Sequence, residues 1–158
     1  MKRVPVSDTG YLSPLPPESP PRLILYVEDD EDNRQVASMR LERQFQLVFA
    51  STDREACEAF IHRGREFDLI LMDIELRGSR LNGIDLTRLV RGTLDKGKIP
   101  FYGASVPKLD TPIIFVTAYG QLYRSELLEA GGNDIIEKPI SFAELQSSIA
   151  RVSDQQLE

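Results

Sequence analysis

A continuous apolar run that ends at a carboxylate decides the fold of this chain: Leu69-Ile70-Leu71-Met72-Asp73. Four uninterrupted apolar residues are typical of a central strand in a parallel sheet, because such a strand is covered on both faces. Other apolar runs of strand length also stop at polar residues. Residues 23–27 precede Glu28-Asp29-Asp30, residues 113–116 precede Thr117, and residues 135–136 precede Glu137-Lys138-Pro139.

Helical spacing fills the intervals between these runs. We predict strands over 23–27, 47–50, 69–72, 113–116 and 134–137, and helices over 30–44, 52–64, 84–90, 121–130 and 141–152. In the first helix the spacing of Val36, Met39, Leu41 and Phe45 is close to three to four residues, which predicts an amphipathic helix, and we expect these residues to face the core. Strands that alternate with helices indicate βαβ units, and therefore an α/β fold with a parallel sheet.

The composition suits one globular domain, with 158 residues of which 41% are hydrophobic and 28% charged. Six of the ten prolines lie in the first 21 residues, so we expect a Pro-rich flexible tail over 1–21. The domain should cover 22–152, followed by a C-terminal tail over 153–158. Residues 92–111 mix glycine, proline and apolar residues, and we predict an extended, partly packed loop insertion there.

The charge and cysteine content restrict the function classes. A formal net charge of -6 argues against direct nucleic-acid binding, which uses clustered Lys and Arg. Cys57 is the only cysteine, so no intrachain disulfide can form. No apolar run approaches the roughly 20 residues that span a bilayer, and no signal-peptide core follows Met1. We therefore expect a cytoplasmic protein without membrane insertion.

The polar residues after the strands have the chemistry of phosphoryl transfer. Because parallel strands end along one edge of a sheet, these side chains should converge there. Glu28, Asp29 and Asp73 supply the oxygen ligands that Mg²⁺ prefers. A carboxylate such as Asp73 can also attack a phosphoryl group, while a hydroxyl from Thr117 and an amine from Lys138 stabilise its charge.

Each of these residues also has a simpler interpretation. Acids after a strand are often first-turn residues favoured by the helix dipole, Asp73 and Thr117 could be caps, and Lys138 could be a solvated lysine. Their joint occurrence at the ends of the first, third, fourth and fifth strands favours a single site.

The sequence resembles the receiver domain of two-component response regulators. The segments that carry the resemblance are 23–30, 68–74, 82–86, 113–118 and 132–139. The resemblance implies a doubly wound five-stranded parallel sheet of order 2-1-3-4-5, flavodoxin-like, which accepts a phosphoryl group from a partner histidine kinase or phosphotransfer protein. Phosphorylation would then switch contacts with a downstream effector protein.

The resemblance also implies individual roles. Asp73 would be the phosphoacceptor, with Asp29 binding Mg²⁺ directly, Glu28 through water and Glu75 through its backbone carbonyl. Thr117 would be the switch hydroxyl and Lys138 the partner of the phosphorylated acceptor. The small Ala118 would leave room for the donor, and Pro139 would follow a cis bond. The lone histidine, His62, is expected at the surface.

The chain departs from the family pattern at three places. The loop over 74–83 is about two residues longer, lacks a proline and has Asn82 where Asp is usual. Arg77 and Arg80 in this loop could approach a phosphoryl group or an acidic partner, but we expect them to be solvated. Ile135 replaces the aromatic residue that usually reports activation. The insertion over 92–111 should lie at the end of the sheet opposite the site, and we interpret it as an interaction surface.

We expect a stand-alone receiver that assists its own phosphorylation and dephosphorylation and is not otherwise an enzyme. The alternative is a receiver-like interaction module that is not phosphorylated, which the altered loop and Ile135 favour. A third hypothesis, suggested by Asp73-Ile74-Glu75, is a phosphatase with an aspartate nucleophile.

Overall fold

Five parallel strands form one sheet in a computed structural model of the chain, which describes residues 22–156. The strands are β1 (Arg22–Val27), β2 (Phe45–Ala50), β3 (Leu69–Met72), β4 (Ile113–Thr117) and β5 (Asp134–Glu137). The helices are α1 (Glu31–Leu41), α2 (Asp53–Arg63), α3 (Gly83–Arg91), α4 (Gly120–Ala130) and α5 (Phe142–Gln156). The sheet order is β2-β1-β3-β4-β5, which confirms the predicted flavodoxin-like fold. The Pro-rich tail expected over 1–21 lies outside the described residues.

The sheet separates two apolar layers. One layer contains residues from α2, α3 and α4, and the other contains residues from α1 and α5. Strand β3 is buried along its whole length, as the uninterrupted apolar run predicts. Strand β1 pairs with both β2 and β3, and Val27 lies opposite Met72 at the carboxyl ends of β1 and β3. The residues after these two strands are therefore neighbours.

Helix α1 is shorter than predicted and buries a different stripe. It ends at Leu41, and Phe45 is the first residue of β2. Val36 and Met39 are 48% and 76% exposed, so the prediction that they face the core is wrong. The helix packs through Ala37 and Leu41, four residues apart, and the other two side chains fall outside this narrow stripe.

Helix α5 is longer than predicted. It extends to Gln156, so residues 153–156 are helical and the expected tail over 153–158 is wrong for them. Residues 153–156 include no proline or glycine, and nothing in the sequence stops the helix at Val152. Residues 157–158 lie outside the described part of the chain.

The insertion over 92–111 folds against the protein's own helices. It contains two 3₁₀ turns, Lys96–Lys98 and Phe101–Gly103, and Leu109 is buried with its N–H donating to the carbonyl of Val90 at 2.8 Å. The Tyr102 hydroxyl donates to Asp53, the first residue of α2. Because α2 starts at the carboxyl end of β2, the middle of the insertion reaches the edge of the sheet where the site lies. The expectation that it stays at the opposite end is therefore wrong.

Aromatic packing explains this course. The guanidinium of Arg54 lies 5.2 Å from the ring centroid of Phe101 and 4.6 Å from that of Tyr102. Gly103 approaches Leu89 of α3 so closely that an added Cβ would lie 3.2 Å from its side chain. The turn thus contacts both α2 and α3, and Phe101 is left 80% exposed.

Candidate functional site

Three carboxylates meet at the carboxyl ends of β1 and β3. Glu28 and Asp29 follow β1, Asp73 follows β3, and one oxygen from each lies within 4.8 Å of the others. Glu28 is fully buried and Asp73 is 7% exposed. The structure therefore brings together three of the residues that the sequence proposed for a metal site.

Lys138 supplies the positive charge that this cluster requires. Its Nζ lies 2.8 Å from Glu28 Oε1 and 2.9 Å from Asp73 Oδ2. The residue follows β5, its backbone N–H donates to the carbonyl of Thr117 at 2.9 Å, and its bond to Pro139 is cis, as expected. One ammonium thus bridges two carboxylates from different strands.

The protonation of the cluster reflects its burial. Burial, and then the neighbouring Glu28, raise the pKa of Asp73 to about 7, against the opposing effect of Lys138. Burial lowers the pKa of Lys138, but its bonds to Glu28 and Asp73 outweigh burial and hold that pKa above the usual range. Removing positive charge from the site would therefore favour protonation of Asp73.

A cleft of about 250 Å³ opens beside the cluster. Thr117, at the end of β4, is 2% exposed, and its Oγ1 accepts a hydrogen bond from the Tyr119 N–H at 3.1 Å. Ala118 is exposed at the rim of the cleft. The cleft is large enough for several waters, each of about 30 Å³ in the liquid, and so for a hydrated ion with a phosphoryl group. Its lining includes Asp29, Asp73, Glu75, Thr117 and Lys138.

The donor set fits a hard divalent cation such as Mg²⁺. Glu28 Oε2 is buried without a hydrogen-bond partner among the described residues, an arrangement that a bound cation or its water would relieve. Asp29 Oδ and Asp73 Oδ complete an all-oxygen set, and Glu75 lies at the same cleft. Mg²⁺ prefers one or two carboxylates together with waters and phosphate oxygens.

Asn33 is a site residue that the sequence did not reveal. Asn33 lies in the first turn of α1, and its side-chain nitrogen donates a hydrogen bond to Glu28 Oε1 at 2.6 Å. A polar residue at this helix position has no distinctive motif, so only the observed hydrogen bond to Glu28 identifies it. The neighbouring Asp30 caps α1 by accepting from the Asn33 N–H at 3.0 Å, so the simpler interpretation of an acid at a helix start is correct for Asp30.

Arg77 is exposed to solvent, as expected, but its guanidinium also forms an ion pair with the acidic cluster. Its Nε lies 2.7 Å from Asp29 Oδ2, and its Nη2 lies 3.7 Å from Asp30 Oδ2. Burial raises the pKa of Asp29, but the hydrogen bonds and charge of Arg77 outweigh burial and hold that pKa below its usual range. Arg80, which is exposed, makes no side-chain hydrogen bond or ion pair within residues 22–156.

The longer loop after Asp73 is held by specific caps and anchors. Asn82 caps α3 and forms a reciprocal capping box with Asp85. An added Cβ at Gly83 would lie 1.9 Å from the backbone oxygen of Asp73, so only glycine permits this approach. The buried carboxylate of Asp53 accepts from the backbone N–H groups of Arg80 and Leu81.

Comparison with known proteins identifies the class that this fold and site define. The family model of the response regulator receiver domain matches residues 24–150. The chain therefore belongs to the response regulator receiver family, as the resemblance of its motifs predicts.

Individual relatives agree with this assignment. The chain is 31% identical over 134 residues to the aerobic respiration control sensor protein ArcB of Escherichia coli. The matched region covers 84% of this chain and 15% of that protein. Since the chain spans so small a share of this relative, the expectation of a stand-alone receiver stays a prediction.

Solved structures of receiver domains are also similar. The receiver domain of the sensor histidine kinase PA1611 from Pseudomonas aeruginosa has a TM-score of 0.65 and 29% identity, with 85% of this chain and 99% of that chain covered. That structure holds a magnesium ion in its active-site cleft. The receiver domain of the Francisella response regulator 1452 has a TM-score of 0.68 at 21% identity, covering 85% of this chain and 98% of that one, and agrees in fold.

Two further observations concern the chain outside the site. His62 is exposed, as expected, on α2. None of the helices within residues 22–156 is long and apolar enough to cross a bilayer.

Proposed function

We propose that the protein accepts a phosphoryl group on Asp73 from a histidine kinase or a histidine phosphotransfer protein, with Mg²⁺ as cofactor. The supporting observation is the convergence of Glu28, Asp29 and Asp73 around Lys138 in a cleft that also contains Thr117. In the transfer, a carboxylate oxygen of Asp73 bonds to phosphorus while the P–N bond to the donor imidazole breaks. The electron pair of that bond stays on the ring nitrogen, which takes up a proton from solvent to give neutral imidazole.

The remaining residues bind and orient the phosphoryl group. A bound Mg²⁺, held by Asp29 and Asp73 with Glu28 and the backbone carbonyl of Glu75, would neutralise the negative charge of the transferred group. Lys138 already contacts Asp73, so its ammonium is positioned to bind a phosphoryl oxygen after transfer. The Thr117 hydroxyl would rotate toward another phosphoryl oxygen and couple the site to α4.

The chain in this proposal is a phosphoacceptor that assists its own phosphorylation and dephosphorylation, and it acts on no other substrate. Its output is a changed protein surface that a downstream effector recognises, without direct nucleic-acid contact or membrane insertion. We also propose a cytoplasmic location, which agrees with a sequence whose only cysteine, Cys57, is buried and unpaired.

Incubation with acetyl phosphate and Mg²⁺ tests the acceptor assignment. Intact mass should rise by one phosphoryl group, and Asp73→Asn should abolish the increase. Asp30→Asn is the matched control, because Asp30 lines the same cleft but acts as a helix cap that Asn can replace. Absence of an adduct with acetyl phosphate, phosphoramidate or a phosphorylated kinase would contradict the proposal.

A receiver-like interaction module without phosphorylation is the second candidate. The observation that favours it is the hydrogen bond that Arg77 donates to the carboxylate of Asp29, a proposed metal ligand. In that case tyrosine fluorescence should not respond to Mg²⁺, and no donor should modify Asp73.

A further inference from the structure

One oxygen of a metal-ligand candidate already has two donors from the loop after β3. Asp29 Oδ2 accepts from Arg77 Nε at 2.7 Å and from the Arg77 backbone N–H at 3.1 Å. Asp29 is only 10% exposed at its side chain, whereas the Arg77 side chain is 77% exposed. A cation of the chain itself therefore reaches into the acidic cleft from solvent.

We propose that Arg77 is a positioning residue that competes with Mg²⁺ for Asp29 and so weakens the affinity of the receiver for the metal. This inference rests on the proposed function. An oxygen that accepts two N–H bonds has no free lone pair for a metal at about 2.0 to 2.1 Å. Binding through the other oxygen of Asp29 would place Mg²⁺ beside the guanidinium, where like charges repel each other.

The loop geometry allows the Arg77 side chain to leave while the backbone stays in place. Arg80 and Leu81 are anchored by their N–H groups to Asp53 Oδ2 at 3.1 and 3.0 Å. The Gly83 N–H donates to the carbonyl of Ile74 at 2.8 Å. Both ends of the loop are therefore fixed, and an exposed ion pair of this kind is weak enough to open when a divalent cation arrives.

The other charged groups at the cleft do not make the same contact. Lys138 holds Glu28 Oε1 and Asp73 Oδ2 and has no bond to Asp29 within the described residues. The contact between Arg77 and Asp30 is longer, with 3.7 Å between Arg77 Nη2 and Asp30 Oδ2. Competition for Asp29 is thus specific to Arg77, and replacing it should leave the bridge between the other two carboxylates intact.

A Mg²⁺ titration of the whole chain by tyrosine fluorescence tests this inference. Tyr119 lines the cleft and supplies a local signal. Arg77→Gln should bind Mg²⁺ roughly two- to fivefold more tightly, the factor that corresponds to an exposed ion pair. The difference from the wild type should shrink at high ionic strength, because salt screens the exposed pair in the metal-free state.

Arg80→Gln is the matched control, since it removes the same charge from the same loop without a side-chain partner among the described residues. It should change the Mg²⁺ dissociation constant by less than about 1.5-fold, because a solvated charge is largely screened. Equal effects of the two variants would mean a general effect of charge and overturn the inference, as would weaker binding by Arg77→Gln. Failure of the wild type to bind Mg²⁺ would overturn the metal part of the proposed function as well. If Asp73 is phosphorylated normally and only the Arg77 effect is missing, the proposed function stands and this inference fails.

Discussion

The ammonium of Lys138 lies 2.8 Å from the carboxylate of Glu28, which is fully buried. Glu28 directly follows the first strand and Lys138 directly follows the fifth, yet the parallel sheet brings them together. The same ammonium contacts Asp73 at 2.9 Å, so it compensates two acids that would otherwise repel each other. The stability of the cluster and the proposed phosphoryl transfer therefore depend on the same lysine.

Replacement of this lysine should destabilise the metal-free protein. Lys138→Met leaves Glu28 and Asp73 without their cation, and we expect the free energy of unfolding at pH 8 to fall by about 3–5 kcal/mol. The loss should be smaller at pH 5, where a carboxyl with a pKa of about 7 is protonated. Urea unfolding at the two pH values measures both effects. Lys96→Met, at an exposed lysine of the insertion, should change stability little, and an equal loss in both variants would contradict the prediction.

Asp73 should make the metal-free protein less stable as the pH rises. The ordinary pKa of this carboxyl is 3.8, and the folded state raises it to about 7. Between these values the folded state binds more protons than the unfolded state, so its contribution to stability is present at low pH and is lost toward pH 7 and above. Asp73→Asn should therefore unfold with nearly the wild-type free energy at pH 4.

At pH 8 the Asp73→Asn variant should be more stable than the wild type by on the order of 2 kcal/mol, since a tenfold change in proton affinity corresponds to about 1.4 kcal/mol and Lys138 loses a partner. Denaturant unfolding in the presence of a chelator gives the difference at each pH. Glu129→Gln, at an exposed position, serves as the control. A difference that stays constant from pH 4 to 8 would contradict the assigned pKa.

The Tyr102 hydroxyl should stabilise the contact between the insertion and α2. Tyr102→Phe removes the donor to Asp53, a carboxylate that is 2% exposed, and should lower the free energy of unfolding by about 1.5–3 kcal/mol, the range for hydrogen bonds to charged groups. Tyr123→Phe is the control, because its ring packs on Tyr119 and its hydroxyl has no hydrogen bond among the described residues. Equal stability of both variants would show that the Tyr102 hydroxyl does not stabilise the contact.

Gly83 should tolerate no side chain. A Cβ there would lie 1.9 Å from the backbone oxygen of Asp73, so Gly83→Ala must move α3 or Asp73. We expect a loss of stability of about 3 kcal/mol or more, from overpacking against backbone that cannot give way. Phosphorylation by acetyl phosphate should slow in any variant protein that still folds.

Gly97→Ala is the matched control for this prediction, because the nearest atom to its added Cβ is a side-chain oxygen of Asp95 at 3.8 Å. It should change stability by less than about 0.5 kcal/mol, as surface substitutions usually do. Thermal unfolding of both variants distinguishes a steric effect at Gly83 from a general effect of replacing glycine.

The insertion over 92–111 shows why local sequence could not predict the course of one segment. Its mixture of Gly, Pro and apolar residues predicted a loop, and its partly packed state is confirmed by buried Leu94 and Leu109. Its course was predicted wrongly because the chain leaves and re-enters the sheet at the end away from the site. The contact of Tyr102 with Asp53, 49 residues earlier, depends on how the turn fits between α2 and α3. The interpretation of the insertion as an interaction surface stays a prediction. Phe101 is exposed, so the variant Phe101→Ser can test whether this surface binds a partner.

The sequence by itself determined the order of strands and helices and the acids, hydroxyl and lysine at the strand ends, because apolar runs specify buried strands and parallel strands end along one edge. It could not determine which charges pair inside the cleft. Arg77 and Asp29 are 48 residues apart, and the carboxylate of Glu28 meets the ammonium of Lys138, 110 residues later. Such contacts depend on side-chain direction and loop anchoring, which arise only when separate elements pack together, so the tertiary structure alone decided that a cation of the chain itself holds the proposed metal ligand.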